Sequence, residues 1–240
     1  CSNIGEFAMR LVVSMHDERD VDVTPMLRGI SRFERREIWE YLKNARFNGF
    51  EFPAAVLPVS KKLAVQETGY RRLVHRASGL VALPYVKAAV PKNDIFDALV
   101  TLIFAWFGKR EFTVILRSRH LNSARPLFFY SAPISIYEFE NAISEFENTW
   151  LNDGYASISV LRDDDPFTEI MLDSHKLISG FSRREKNRIT MEEILRERGV
   201  FLSTGFPFVD GVAHFHTAEK TGLTGFRKFR MRIGARKTWY

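Results

Sequence analysis

The chain has 240 residues and a hydrophobic content of 45%, enough to build a core in one large domain or two small ones. Its formal net charge of +6 favours a polyanionic partner over a cationic one. Its single cysteine, Cys1, excludes an intramolecular disulfide and a cysteine-ligated metal site, and it fits a reducing, cytoplasmic location.

Membrane insertion and secretion are not expected from the sequence. The longest apolar run, 95–108, is too short to span a bilayer and contains Asp97, so it predicts a buried helix. The start of the chain does not resemble a signal peptide, and residues 1–8, which precede Met9, are set aside in the search for functional residues. We therefore predict no membrane partner.

The first third of the chain predicts a strand, a helix and an extended segment. A strand rich in Val and Leu is expected over 8–15. A helix is expected over 31–47, because Ser31 can cap it and a glutamate three residues later completes a capping box. Residues 49–59 contain two prolines and predict an edge strand, and residues 60–92 are the most loop-like section.

The middle of the chain alternates helix and strand signals. Asn93 is placed to cap the apolar helix that ends near residue 108. Strands are predicted over 111–118 and 125–132, followed by an amphipathic helix that begins after Ser135 and a further strand over 155–161. This order is typical of an α+β fold with mainly antiparallel sheets.

A short internal repeat indicates two related halves. The segment ISRFERRE at 30–37 matches ISGFSRRE at 178–185 in six of eight positions, and each follows a strand and an acidic loop. A chance match is the alternative. A true repeat predicts two α+β halves, 9–110 and 111–240, the second with a glycine-bearing loop and a basic final strand.

Clusters of basic residues predict a surface that binds phosphates. A helix that starts early would gather four arginines on one face, because they stand at i, i+4, i+7 and i+8. They are Arg28, Arg32, Arg35 and Arg36. Further clusters lie at 70–76, with Arg71, Arg72 and Arg76, and at 183–188. Salt bridges within each helix are the alternative for a single cluster, but several clusters together favour a polyanion.

The basic tail continues this pattern. Over 226–233 apolar and cationic residues alternate, which predicts a strand with Phe229, Met231 and Ile233 on the core side. The cations expected to contact a polyanion are Lys220, Arg227, Lys228, Arg230 and Arg232. Gly222 and Gly225 would let the backbone approach a phosphate closely. A solvated sheet edge is the alternative.

Two histidine patterns admit a chemical role. His214 and His216 would share one face of a strand, which resembles the His-hydrophobic-His element of rolling-circle and relaxase nucleases. Those enzymes also need a catalytic tyrosine and usually a third ligand, so core or exposed histidines are the simpler interpretation. His16 lies beside an acidic loop that would favour its charged form, which suits a general acid, and a solvated loop is the alternative. Asp173 with His175 admits a divalent ion or solvated side chains. We predict no metal and no cofactor, because phosphate-binding, dinucleotide-binding and zinc motifs are absent from the sequence.

The basic charge, the two α+β halves and the glycine-bearing segment resemble the RAMP superfamily, in particular the CRISPR repeat-RNA endonucleases. Members of that family have two ferredoxin-like (RRM-like) domains and a glycine-rich loop near the C-terminus. Here HFHTAEKTGLTGF, at 214–226, contains Lys220 and the pair Gly222 and Gly225, but lacks the first glycine pair of that loop. The resemblance implies two ferredoxin-like halves and an RNA partner.

It also implies metal-independent cleavage of a repeat hairpin in precursor RNA, with the crRNA product retained alone or within a ribonucleoprotein complex. Such a reaction needs groups that deprotonate the 2′-hydroxyl, stabilise the phosphorane and protonate the leaving oxygen. The family's histidine lies near the first strand and helix, which implies His16, with Tyr41, Lys43 and Arg32 as helpers. A non-catalytic nucleic-acid-binding subunit, or a plasmid- or phage-borne immunity or adaptor protein, are the alternatives.

Overall fold

A large, mainly antiparallel β-sheet dominates the mixed α+β structure. The computed structural model describes residues 46–47, 50–51, 53, 55–58, 68–76, 82–120, 126–162, 167–205, 208–211, 214–218 and 221–237. The strands are β1 (Arg46–Phe47), β2 (Phe50–Glu51), β3 (Val56–Pro58), β4 (Gly69–His75), β5 (Leu83–Ala89), β6 (Thr113–Ser118), β7 (Leu127–Tyr130), β8 (Ala156–Arg162), β9 (Thr168–Leu172), β10 (Ile178–Ser182), β11 (Phe201–Leu202), β12 (His214–His216) and β13 (Arg236–Lys237). The helices are α1 (Ile95–Phe107), α2 (Ile136–Ser144), α3 (Glu147–Asn152), α4 (Glu185–Glu197) and α5 (Gly222–Arg232), with a short 3-10 helix at Val209–Gly211.

Within these ranges, nine strands form the sheet in the order β11-β4-β5-β10-β9-β8-β6-β7-β13. All neighbours are antiparallel except β11 and β4, which are parallel. Two smaller pairs, β1 with β2 and β3 with β12, are also antiparallel. The expected α+β class with mainly antiparallel strands is confirmed.

One face of the sheet packs against the helices. Along β6, Val114 and Leu116 join the larger core cluster, which contains residues from all five helices, whereas Ile115 joins a smaller cluster on the opposite face. Successive side chains of a strand point to opposite faces, so the strands inside the sheet contribute to both clusters. The helix-side core includes Trp150 and Phe229, both fully buried, with ring centroids 5.1 Å apart.

The second face of the sheet is buried as well, but it carries charge. Glu169 is fully buried, and Lys87 and Asp173 are nearly so. Buried charges require compensating partners. Lys87 forms an ion pair with Asp210 in the 3-10 helix, which places a segment close to residue 210 over this part of β5. This charged side of the sheet contains the candidate site.

Several predicted elements are confirmed. Helix α1 occupies the apolar run that predicted a buried helix, although its N-cap is Asp94 and not Asn93. Helix α2 begins after Ser135, whose hydroxyl accepts a hydrogen bond from the Glu138 amide while the Glu138 carboxylate accepts from the Ser135 amide. This reciprocal capping box satisfies two amides at the start of the helix.

The section 60–92, predicted to be loop-like, contains strands β4 and β5 instead. Both strands carry charged residues that usually lower strand propensity. Arg72 is held by Glu192 of helix α4, and Lys87 is held by Asp210, so tertiary ion pairs accommodate these charges. The prediction failed because sequence alone does not show those partners.

The predicted strand over 226–233 is wrong, because this segment forms most of helix α5. Phe226, Phe229 and Ile233 are buried, whereas Met231 is exposed. Their spacing of i, i+3 and i+7 is that of one helical face. Phe229, Met231 and Ile233 occupy every second position, but this spacing does not reflect a strand.

The sheet includes strands from both sides of residue 110, since β5 pairs with β10. The second copy of the short repeat, 178–185, comprises β10 and the first residue of α4, while the first copy, 30–37, lies outside the described residues. The repeat stays a prediction. None of the helices in the described ranges is long and apolar enough to cross a membrane.

Candidate functional site

A tight turn between β9 and β10 holds the first residue of the site. The Asp173 carboxylate accepts hydrogen bonds from the backbone amides of His175, at 2.8 Å, and Leu177, at 2.9 Å. Lys176 has a φ of 62°, a left-handed conformation that is uncommon outside glycine. The Asp173 hydrogen bonds support this turn and project His175 from the end of the hairpin.

Lys176 is buried below the same turn. Its ammonium group donates a hydrogen bond to the Ala156 carbonyl at 3.0 Å. Burial lowers the pKa of Lys176 to about 8, although the negative charges of Asp153 and Asp173 oppose this change. The turn is therefore anchored to the sheet by a lysine with little access to solvent.

Strand β12 supplies two further histidines. His214 and His216 are both buried and lie on the same face of the strand, with their Nε2 atoms 3.0 Å apart. The His216 Nδ1 atom lies 2.6 Å from the Gly154 carbonyl oxygen. Because a carbonyl only accepts hydrogen bonds, this contact assigns the proton to Nδ1, and a neutral His216 ring then has its lone pair on Nε2.

The three imidazole rings converge. Ring centroids are 4.9 Å apart for His175 and His214, 5.0 Å for His175 and His216, and 4.9 Å for His214 and His216. One nitrogen from each ring lies within 4.8 Å of the other two, a separation that allows all three to reach one metal ion. We call these residues the three-histidine cluster.

Carboxylates border the cluster. The Asp173 Oδ2 atom lies 3.5 Å from His175 Nδ1, and Asp173, His175 and Asp210 form a second group of potential ligands. Burial would raise the pKa of Asp173, but the charges of His175 and Lys87, with hydrogen bonds from His175 and Leu177, hold it well below its usual range. Asp173 is therefore an anion next to His175.

Close packing around Gly154 fixes the position of His216. A Cβ atom at Gly154 would lie 2.2 Å from the Ala55 carbonyl oxygen and 3.1 Å from His216 Nδ1, so only glycine fits. The Gly154 amide also donates to the Thr217 carbonyl at 2.7 Å. This residue therefore pairs with the end of β12 and directs its carbonyl at the His216 ring.

A second polar network lies beside this glycine. The Asp153 carboxylate is 2.6 Å from His120 Nε2, and His120 Nδ1 is 2.7 Å from the Ser118 hydroxyl. A Ser, His and Asp set of this kind can activate a nucleophile when the serine is accessible. Here Ser118 is 4% exposed and Asp153 is fully buried, so the set acts as a structural link between β6 and the start of β8.

The tail cations lie on the outer surface of helix α5. Arg227, Lys228 and Arg232 are exposed, and helix α5 contains no acidic residue. The Arg230 guanidinium lies 4.9 Å from the centroid of the Phe129 ring, a cation–π contact that orients it along the protein surface. Arg232 is 3.8 Å from Glu145, and both side chains are more than half exposed, so this ion pair is weak.

The predicted cations of strand β4 differ in their surroundings. Arg72 donates hydrogen bonds of 2.7 Å and 2.6 Å to the Glu192 carboxylate, which also accepts from Tyr70. Arg72 therefore has a structural partner within the protein, and its role in RNA binding stays a prediction. Arg76 is exposed at the end of the strand, and Arg71 is half-buried.

The remaining predicted site residues lie outside the described ranges. These are His16, Arg28, Arg32, Arg35, Arg36, Tyr41, Lys43 and Lys220. Their roles stay predictions. The structure brings together His175, His214 and His216 instead. Lys87, which pairs with Asp210 beside them, was not predicted, because the sequence shows only a lysine within an apolar segment.

The fold and site together define an α+β protein with a buried histidine and carboxylate cluster and a cationic surface helix. Comparison of the chain with family models, curated proteins and solved structures finds no match in any of the three. The function is therefore argued from the chemistry of these two features.

Proposed function

We propose that the chain binds RNA through the cationic face of helix α5. The observation that carries this proposal is the arrangement of that helix: Phe226 and Phe229 are buried, while Arg227, Lys228 and Arg232 point outward from a helix without a carboxylate. A fixed row of cations on a packed helix attracts the phosphate backbone of a nucleic acid.

Two further properties support a polyanion as the partner. The whole chain has a net charge of +6. The stretch from Lys220 to the end contains seven basic residues and no acidic residue. Arginine also presents planar, multiple donors that suit phosphate oxygens. Among the tail cations that the structure describes, Arg227, Lys228 and Arg232 of α5 and Arg236 of β13 are exposed.

The narrower prediction concerns the CRISPR repeat hairpin. Metal-independent cleavage by His16, Tyr41, Lys43 and Arg32, within two ferredoxin-like halves, rests on the resemblance to the RAMP superfamily and on residues outside the described ranges. Cleavage of this hairpin remains part of the proposal, as the most specific function that RNA binding could serve. An acidic protein partner is the competing outcome of the test.

The test measures binding of a labelled RNA hairpin, and of a DNA hairpin of the same length, over a series of salt concentrations. The double variant Arg227→Glu/Lys228→Glu is expected to bind RNA more weakly. The slope of log affinity against log salt should fall by about 2, because each phosphate contact contributes roughly 1. Absence of binding at low salt would refute the proposal and favour an acidic protein partner.

The matched control is Lys109→Glu/Arg110→Glu, which changes the charge by the same amount at exposed positions just after helix α1, outside the predicted phosphate-binding clusters. If α5 is the binding surface, this control loses less affinity than the α5 variant. Equal losses of affinity in both variants would mean that RNA binding depends on the overall positive charge and not on the α5 face.

A further inference from the structure

We propose that His175, His214 and His216 form a binding site for one divalent transition-metal ion. This inference does not depend on RNA binding, because the cluster lies on β12 and the β9–β10 turn, whereas the cationic surface lies on α5. It departs from the sequence-based expectation of no metal, which rested on the absence of familiar motifs.

The distances agree with a shared metal ion. Zinc lies about 2.0–2.1 Å from histidine nitrogens, which places two nitrogens of a tetrahedral site about 3.4 Å apart. The Nε2 atoms of His214 and His216 are 3.0 Å apart, and the contributing nitrogen of His175 is within 4.8 Å of both. His175 is at the end of a hairpin turn, so a small rotation of its side chain brings it to the same point.

The contacts behind the rings match those of metal ligands. A ligating histidine usually donates its other N–H to a carbonyl or carboxylate, which fixes the ring and leaves the opposite nitrogen for the metal. His216 Nδ1 contacts the Gly154 carbonyl at 2.6 Å, and His175 Nδ1 faces the Asp173 carboxylate at 3.5 Å. These contacts assign the proton of each ring to Nδ1, so Nε2 is the nitrogen that each ring would offer to a metal ion.

The surrounding charges also suit a cation. Asp173 and Asp210 lie next to His175, and Asp210 also forms an ion pair with Lys87. The ionised Asp173 carboxylate next to His175 offsets part of the charge of a divalent ion in a buried setting. A solvent molecule as the fourth ligand would give the arrangement of three protein ligands common in reactive zinc sites, whereas Asp210 in that position would give a closed site of four protein ligands.

The ligand set selects the kind of metal. Imidazole nitrogens favour zinc, copper, nickel and iron, whereas magnesium and calcium prefer oxygen ligands. The competing explanation is a metal-free cluster in which the His214 Nε2–H donates a hydrogen bond to His216 Nε2. The two explanations give different results when zinc is added.

The experiment uses the full chain, treated with a chelator and desalted, and titrated with ZnCl2 by calorimetry and by thermal unfolding. One zinc ion per chain is expected, with a rise of several degrees in the unfolding temperature at saturating zinc, since a ligand that binds only the folded state stabilises it. An excess of MgCl2 should produce neither effect.

Variants locate the ion. His175→Ala, at the most accessible of the three histidines, is expected to lower zinc affinity at least a hundredfold while the protein still folds. His75→Ala, which removes a half-buried histidine of β4 outside the cluster, should retain wild-type affinity. Since His214→Ala can fail to fold, His216→Gln serves as the second test in the strand.

Two results would overturn the proposal. The first is a wild-type chain that takes up no zinc and shows no thermal shift. The second is zinc binding of the same affinity in His175→Ala, His216→Gln and the wild type, which would place the ion elsewhere.

Discussion

Replacement of Glu192 by glutamine tests how helix α4 is joined to the end of the sheet. The Glu192 carboxylate accepts two hydrogen bonds from Arg72 and one, at 3.1 Å, from the Tyr70 hydroxyl. A glutamine of nearly the same shape keeps one accepting oxygen, but it loses the charge and presents an amide N–H toward other donors.

The expected cost follows from the exposure of each partner. The Arg72 side chain is 65% exposed, so its ion pair contributes no more than about 1 kcal/mol. The Tyr70 hydroxyl is buried against the carboxylate, and a hydrogen bond to a charged group contributes about 1.5–3 kcal/mol. We expect Glu192→Gln to lower the free energy of unfolding by about 2 kcal/mol, or roughly 4–8 °C in unfolding temperature.

The dependence on pH gives a second check. Hydrogen bonds from Arg72, aided by its charge and by Tyr70, outweigh burial and lower the pKa of Glu192 below 4.5 in the folded state. A carboxylate of lowered pKa stabilises the fold above its unfolded pKa, and this contribution is lost as pH falls through the folded value. The difference between wild type and variant should therefore be full at pH 7 and shrink toward pH 3.

Urea denaturation between pH 7 and pH 3 measures both effects. Glu193→Gln makes the same chemical change at the next residue, which is exposed, and should alter stability by less than about 0.5 kcal/mol. Equal stability of the two variants at pH 7, or a difference that does not change with pH, would refute the proposed role of Glu192.

Two further changes test packing and capping. Gly180→Ala places a Cβ 2.4 Å from the Met191 sulfur and 2.7 Å from Trp106, and this overpacking should lower the free energy of unfolding by about 1–3 kcal/mol. The control Gly211→Ala meets nothing within 4 Å and should be nearly neutral. Similar unfolding temperatures for both variants would contradict the close packing of β10 against the helices. Ser135→Ala removes the capping box of α2 and should lower the free energy of unfolding by about 1 kcal/mol in urea denaturation, and an unchanged midpoint would show that the cap does not contribute.

Local signals in the sequence predicted the elements whose structure depends on neighbouring residues. The apolar run over 95–107 is too long for a strand and forms α1, and Ser135 with Glu138 marks the start of α2. Hydrophobic period and capping chemistry act within a few residues, so they are visible in one sequence.

Elements that depend on distant partners were not predictable in this way. Helix α5 satisfies both a period of two and a helical spacing, and packing of Phe226 and Phe229 on Trp150 decides between them. Strand β5 carries Lys87, whose partner Asp210 is 123 residues away. In both cases the tertiary contact, and not the local propensity, determines the conformation.

The candidate site shows the same division. The sequence predicted His214 and His216 on one face of a strand, and it has Asp173 two residues before His175. It contains no signal that these two pairs lie in contact. They meet because the β9–β10 turn lies against β12, and Gly154 fixes His216 from the other side. The three-histidine cluster therefore depends on the packing of the β9–β10 turn against β12, which the spacing of His214 and His216 does not predict.

Zinc K-edge X-ray absorption of the zinc-loaded, desalted chain identifies the atoms that surround the proposed ion. We expect one zinc ion with nitrogen and oxygen neighbours at about 2.0–2.1 Å and the multiple-scattering signal of three imidazoles, reduced to two in His175→Ala. A spectrum without imidazole scattering, or one that is identical in the wild type and His175→Ala, would contradict this expectation.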